Sequence, residues 1–238
     1  MRRLKKPEQM ARAIVQEIAE RGAASGDMLP PEAVMLEEYD VGRATLREAL
    51  RLLESQGLVR LRPGPGGGPV VGRSDPVNLS RTASLFFSFN GSTYGELGEA
   101  TLFIDPWLAQ LAASRPDRSR IRELLQPYLN DRFDTVVGSE RSTRFRDFHQ
   151  AVRHLSGNTV LSLWSDVIGV LFGDHIAEAI DFTSMHEEVA DSHVGIANAI
   201  VTGKASRARD LMIAHTHDIL SFCEQADPDF SSRKIQWR

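Results

Sequence analysis

Residues 41–53 (VGRATLREALRLL) constrain this chain more than any other stretch. Leu46, Ala49, Leu50 and Leu53 recur at the i, i+3, i+4 and i+7 positions that put one apolar stripe on a helix facing a core. Arg43, Arg47 and Arg51 recur every four residues on the opposite face. A short helix with leucines behind and guanidinium groups in front suits the major groove of DNA, where arginine reaches guanine edges and phosphates through paired hydrogen bonds. In isolation the same pattern would describe a solvated basic face on an ordinary surface helix. The flanking residues decide between the two.

Upstream, Pro7 is placed to open a helix whose apolar face is Met10, Ile14 and Ile18. Leu29-Pro30-Pro31-Glu32 starts a second, short helix over 31–39, with Val34 and Leu36 as candidates for burial. Asp40-Val41-Gly42 is then the turn into the arginine helix, which makes a helix-turn-helix. Downstream, Gly57 stops the helix, and 58–62 alternate in a β-prone pattern. A glycine-proline loop over 63–68 leads into Val70-Val71. No Gly-Lys-Ser/Thr follows that loop and no helix opens there, so it is a hairpin tip and not a phosphate cradle. A hairpin after a helix-turn-helix is a wing, with Arg60 and Arg62 set to touch backbone or minor groove.

Composition fits this reading. The chain carries a net charge of −4, yet residues 41–73 hold six arginines against two glutamates. A locally positive patch on an acidic protein favours selective over indiscriminate DNA binding. The single cysteine, Cys223, cannot form an internal disulfide, which points to a reducing, cytoplasmic setting. No apolar run approaches the roughly 18 residues of a membrane span, so no membrane partner is expected.

The motif Gly26-Asp27-x-Leu29-Pro30-x-Glu32, followed by Tyr39-x-Val41-x-Arg43-x-Thr45-Leu46-Arg47-Glu48-Ala49-Leu50 and Gly57-Leu58-Val59, resembles the DNA-binding domain of the GntR family of bacterial transcription regulators. The resemblance implies DNA contacts at Arg43, Thr45, Arg47 and the wing residue Gly64, with Arg51 on the same face. Pro31 and Gly42 stand where the family usually has serine or threonine, which removes a helix cap and a phosphate-facing hydroxyl. Ala33 stands where one branch often has a DNA-contacting arginine.

Beyond residue 78 the periodicity is helical, over 79–89, 96–113, 119–133, 142–155, 160–180, 184–201 and 205–225. The expected architecture is mostly α: an N-terminal winged helix-turn-helix over 1–73, a linker over 74–78, an antiparallel all-helical bundle over 79–226 and a mobile tail over 227–238. Within the bundle, His149, His193 and His215 each lie on the apolar stripe of their own helix. An unpartnered buried imidazole costs roughly 2–7 kcal/mol, so three facing one core call for joint satisfaction. One divalent metal such as zinc or nickel would supply it; three separately hydrogen-bonded core histidines would also do. His186 lies two turns from His193, too far to share an ion, and is a candidate to reach a ligand.

Phe148-His149, Ser156-Gly157-Asn158, Ser192-His193 and Met212-x-x-His215 resemble the FCD ligand-sensing domain of the FadR branch of the same family. That domain often holds a divalent metal on one aspartate and three histidines beside a small-molecule effector. His149, His193 and His215 match the histidines, but the aspartate position is Phe145, and Thr101 replaces an arginine that often anchors effector carboxylates. Asp147 cannot substitute, because two residues along a helix is about 200° of rotation. Thr101, Asp105, Phe145 and His186 are therefore the expected effector contacts. The effector is either a carboxylate metabolite or, given the added phenyl ring, a fatty acyl or acyl-coenzyme A type ligand. The resemblance implies a ligand-responsive regulator, most often a repressor, acting as a homodimer on a palindromic double-stranded operator. A metal-dependent enzyme built on the same three histidines is the rival. The Glu-x-x-His pairs of carboxylate-bridged sites are missing, since Arg146, Ala190 and Met212 precede the histidines by three, so no enzyme is expected.

Overall fold

The computed structural model describes residues 5–64, 66–73, 75–130, 139–179 and 185–237, without the side chains of 139–144, 174–179 and 186. Ten α-helices and one hairpin appear among these residues, and the chain divides into two units, Met1–Leu79 and Ser80–Arg238. No described helix is long and apolar enough to cross a membrane.

In the first unit, α1 (Lys6–Glu20), α2 (Glu32–Glu38) and α3 (Arg43–Ser55) precede the antiparallel strands β1 (Val59–Arg62) and β2 (Gly68–Val71). Met10 and Ile14 of α1 pack with Leu46, Ala49, Leu50 and Leu53 of α3, while Val59 and Val71 tie the hairpin to the same core. The short α2 contributes Met35, which is fully buried; Val34 is exposed and Leu36 only partly covered. The expected burial was thus out of phase by one residue, an error that a seven-residue helix is too short to expose by periodicity. Neither Pro31 nor Gly42 gives its helix a side-chain cap, as their chemistry requires. Gly57 follows α3 with φ +72, a conformation that favours glycine, and a Cβ there would have to displace the Asn78 amide, 2.1 Å away.

The second unit is helical. It follows from α4 (Pro76–Asn90), which contains the boundary, through α5 (Tyr94–Ser114), α6 (Arg118–Leu125), α7 (Ser139–Ser156), α8 (Thr159–Ala179), α9 (His186–Val201) and α10 (Ala205–Ala226). Helix α4 starts inside the expected 74–78 linker, at a proline suited to a first turn. Thr93 and Glu96 form a reciprocal capping box at the start of α5, and the Asn158 side chain accepts from Leu161 N–H at the start of α8. The helix expected over 119–133 ends at Leu125 and tightens into a 3₁₀ turn at Gln126–Tyr128, because Pro127 has no N–H to donate. Residues 131–133 lie outside the described set.

The core joins Ala109 and Ala112 of α5, Leu125 of α6, Phe148 of α7, Ile196 and Ile200 of α9, and Met212 of α10. The segment expected to be a mobile tail packs on the bundle over its described residues. Phe230 and Ile235 are buried, Tyr94 and Gly95 N–H donate to the carbonyls of Arg233 and Ser231, and Ile235 N–H donates to Ser92. Two buried apolar residues and a short backbone ladder hold the segment, while Trp237 stays exposed.

Candidate functional sites

The arginine face is displayed as the periodicity requires. Arg43, Arg47, Arg51, Arg60 and Arg62 are all exposed, Thr45 is half-buried, and Gly64 sits exposed at the wing tip with φ +94. Arg43 opens α3 and Arg47 follows one turn later, so both occupy the N-terminal end of the helix, which usually meets base edges. Arg47 Nε lies 3.3 Å from Glu32 Oε2, an exposed pair worth roughly 0–1 kcal/mol. That is too weak to withhold Arg47 from a nucleic acid.

The histidines converge in the second unit. His149 comes from α7, His193 from α9 and His215 from α10, and all three are buried. Each offers one ring nitrogen, and these nitrogens lie within 4.8 Å of one another. His149 Nε2 and His215 Nε2 are 3.2 Å apart. Burial lowers the pKa of all three, His215 to about 4, and the charges of neighbouring histidines lower His149 and His193 further. At neutral pH they are neutral imidazoles, the form that binds metals. His193 Nε2 is buried with no hydrogen-bond partner among the described residues. Two nitrogens of a tetrahedral zinc site sit about 3.3 Å apart, given bond lengths near 2.05 Å. The His149–His215 spacing meets that value, and His193 would have to draw in slightly.

Phe145 lies against all three rings, with centroid distances of 4.7, 5.3 and 6.0 Å to His149, His193 and His215. Its phenyl group therefore lies beside the histidines without a ligating atom. Asp147 is exposed and takes no part. Asp105, on α5, is buried and faces the back of the cluster: its Oδ2 is 3.7 Å from His149 Nδ1 and 3.9 Å from an Arg153 nitrogen. Thr101 is half-buried, and its hydroxyl donates to the Leu97 carbonyl one turn earlier. The His186 side chain lies outside the described residues.

Four residues around the cluster, Arg153, Ser165, Asp166 and Ser192, gain a role only from the fold. Arg153 donates from Nε to Ser165 Oγ at 2.7 Å and from Nη1 to Asp166 at 3.0 Å, and Ser165 donates to Asp105. Burial raises the Asp166 pKa, with Arg153 opposing. Ser192 Oγ lies 2.8 Å from His215 Nδ1. Each of these contacts joins different helices, so spacing along one helix carried no signal of them.

Known proteins show the same order of parts. Residues 6–67 match the model for bacterial regulatory proteins of the gntR family, and residues 96–218 match the FCD domain. The chain belongs to the GntR family, in its FCD-containing form. It is 24% identical over 207 residues to the HTH-type transcriptional regulator LutR of Bacillus subtilis, covering 82% of this chain and 92% of that one. It is 23% identical over 239 residues to the HTH-type transcriptional repressor NanR of Cronobacter sakazakii, covering 98% and 90%. In structure it is similar to a GntR protein of Streptococcus agalactiae with a TM-score of 0.68 and 23% identity, over 90% of this chain and 98% of that one, a likeness of fold. As a GntR regulator of FCD type, the chain has a DNA-binding head and a ligand-binding helical domain. The family and these relatives regulate transcription, and nothing in the comparisons supports the enzyme rival.

Proposed function

We propose that this regulator represses transcription as a homodimer on a palindromic operator, and that a divalent metal on His149, His193 and His215 forms part of its effector site. The observation that carries the metal reading is the buried cluster itself. Three neutral imidazoles converge, and the His193 Nε2 has no hydrogen-bond partner among the described residues. Such an ion, when bound, supplies positive charge and open coordination positions for an anionic ligand. With no carboxylate at position 145 and no cation at 101, a small carboxylate effector would depend on that charge. Thr101, Asp105, Phe145 and His186 remain its proposed surroundings. The Phe145 ring against the histidines favours a second reading, an acyl ligand bound without metal.

On the DNA side, two copies would place two α3 helices in successive major grooves, about one helical turn apart. Phe103, Trp107 and Trp164 are large, exposed and on the bundle, which supports a second copy as their cover. Effector binding weakens the operator complex only to the extent that it prefers the DNA-incompetent arrangement. The test is a gel-shift on DNA flanking its own coding sequence, using zinc-loaded and chelator-stripped protein beside elemental analysis. Specific binding with retained metal supports the proposal; no metal after zinc loading leaves only the acyl reading.

A further inference from the structure

We infer that Ser192 and Asp105 are positioning residues that hold His215 and His149 in the Nδ1–H tautomer and so aim both bare Nε2 atoms at one point. The inference rests on the metal reading for its purpose, but the His215 tautomer follows from hydrogen-bond geometry alone, and that of His149 from a nearby buried carboxylate. Ser192 Oγ lies 2.7 Å from the Val189 carbonyl oxygen and 2.8 Å from His215 Nδ1. A carbonyl only accepts, so the single hydroxyl proton goes to Val189. Toward His215 the serine oxygen can then only accept, which places the imidazole proton on Nδ1 and leaves Nε2 with its lone pair.

Asp105 does the same for His149 by a longer contact. A guanidinium only donates, so Arg153 Nε donates to Ser165, and the Ser165 proton is left for Asp105 Oδ1. That chain fixes the carboxylate, with its other oxygen 3.7 Å from His149 Nδ1. The distance exceeds a hydrogen bond, yet a buried carboxylate on that side favours the N–H there. The outcome is two lone pairs facing each other across 3.2 Å, an arrangement that repels unless a cation lies between them. Carboxylate or hydroxyl partners behind metal-bound histidines serve this orienting role, and their loss typically weakens metal binding 10- to 100-fold.

The test uses full-length protein labelled with ¹⁵N-histidine, stripped of metal, at neutral pH. Imidazole ¹⁵N spectra should place the proton on Nδ1 of both His149 and His215. In Ser192→Ala, His215 should lose its single tautomer and zinc affinity, measured by chelator competition, should fall 10- to 100-fold. Ser192→Thr should restore both, and Asp105→Asn should give a smaller loss with a change at His149 alone. Wild-type His215 protonated on Nε2, or Ser192→Ala with unchanged tautomer and zinc affinity, overturns the inference even if that variant folds poorly, because the wild-type spectrum stands by itself. Nδ1–H tautomers in a wild-type protein that takes up no zinc would sustain the positioning role while removing the metal reading.

Discussion

The arginines of α3 and the histidines of the bundle are both sets of nitrogen-bearing side chains on amphipathic helices, placed on opposite sides of them. The arginines sit across from the leucine stripe and stay in water, charged and free to meet a polyanion. The histidines sit within the apolar stripes and are buried, so they are held neutral with lone pairs available. Exposure makes one set a reader of charge and base edges; burial makes the other a candidate ligand set. The same amphipathic logic gives both outcomes, and the face decides which.

That contrast can be broken at its supports. The largest effect is expected where the leucine stripe is cut: Leu46→Ala or Leu50→Ala should destabilise the DNA-binding head by about 2–5 kcal/mol, read from its denaturant unfolding. Both residues are fully buried, and their loss would leave the arginine row without a rigid back. Next, His193→Ala should lower zinc affinity more than about 100-fold, beyond the loss expected for an orienting partner, by competition with a chelator. Equal metal content in that variant would separate the cluster from any metal.

Stability of the metal-free bundle should also depend on pH. The three histidines ionise less readily in the fold than in the unfolded chain, where their pKa is near 6.5. Above that value both states are neutral and stability is unaffected. Below it the unfolded chain binds protons that the folded chain refuses, so stability should fall with pH, by roughly 1.4 kcal/mol per pH unit for each histidine. The decline should run to about pH 4 for His215, where its own folded form protonates. Thermal melts of metal-free protein between pH 7 and 5 would show it, and a flat profile would mean that the imidazoles are solvated. Smallest is the wing: Arg60→Ala or Arg62→Ala should each reduce the slope of log affinity against log salt by about 0.9.

Much of the head was legible because a single helix carries its own evidence. Leu46, Ala49, Leu50 and Leu53 declare a buried face by spacing, and Arg43, Arg47 and Arg51 are exposed as a consequence. The same reasoning found the three histidines, since each lies on one stripe. It could not find Ser192 behind His215, or the Arg153–Ser165–Asp105 chain, because those contacts cross between helices. Phe230 and Ile235 were missed for a related reason: with Trp237 they show no helical or strand period, and only the packed bundle gives them a place. The short α6 is a different case. Its apolar period continues through Pro127, but that proline turns the chain into a 3₁₀ turn instead of a further helical turn.

Sequence-selective regulation by this chain depends most on the exposed arginines of α3. Fluorescence anisotropy on the operator recovered by gel-shift, comparing wild type with folded Arg43→Ala and Arg47→Ala, tests that directly. Each substitution should cost about 1–3 kcal/mol on the operator and narrow the gap between operator and unrelated DNA. Operator affinity and discrimination unchanged in both variants would contradict it.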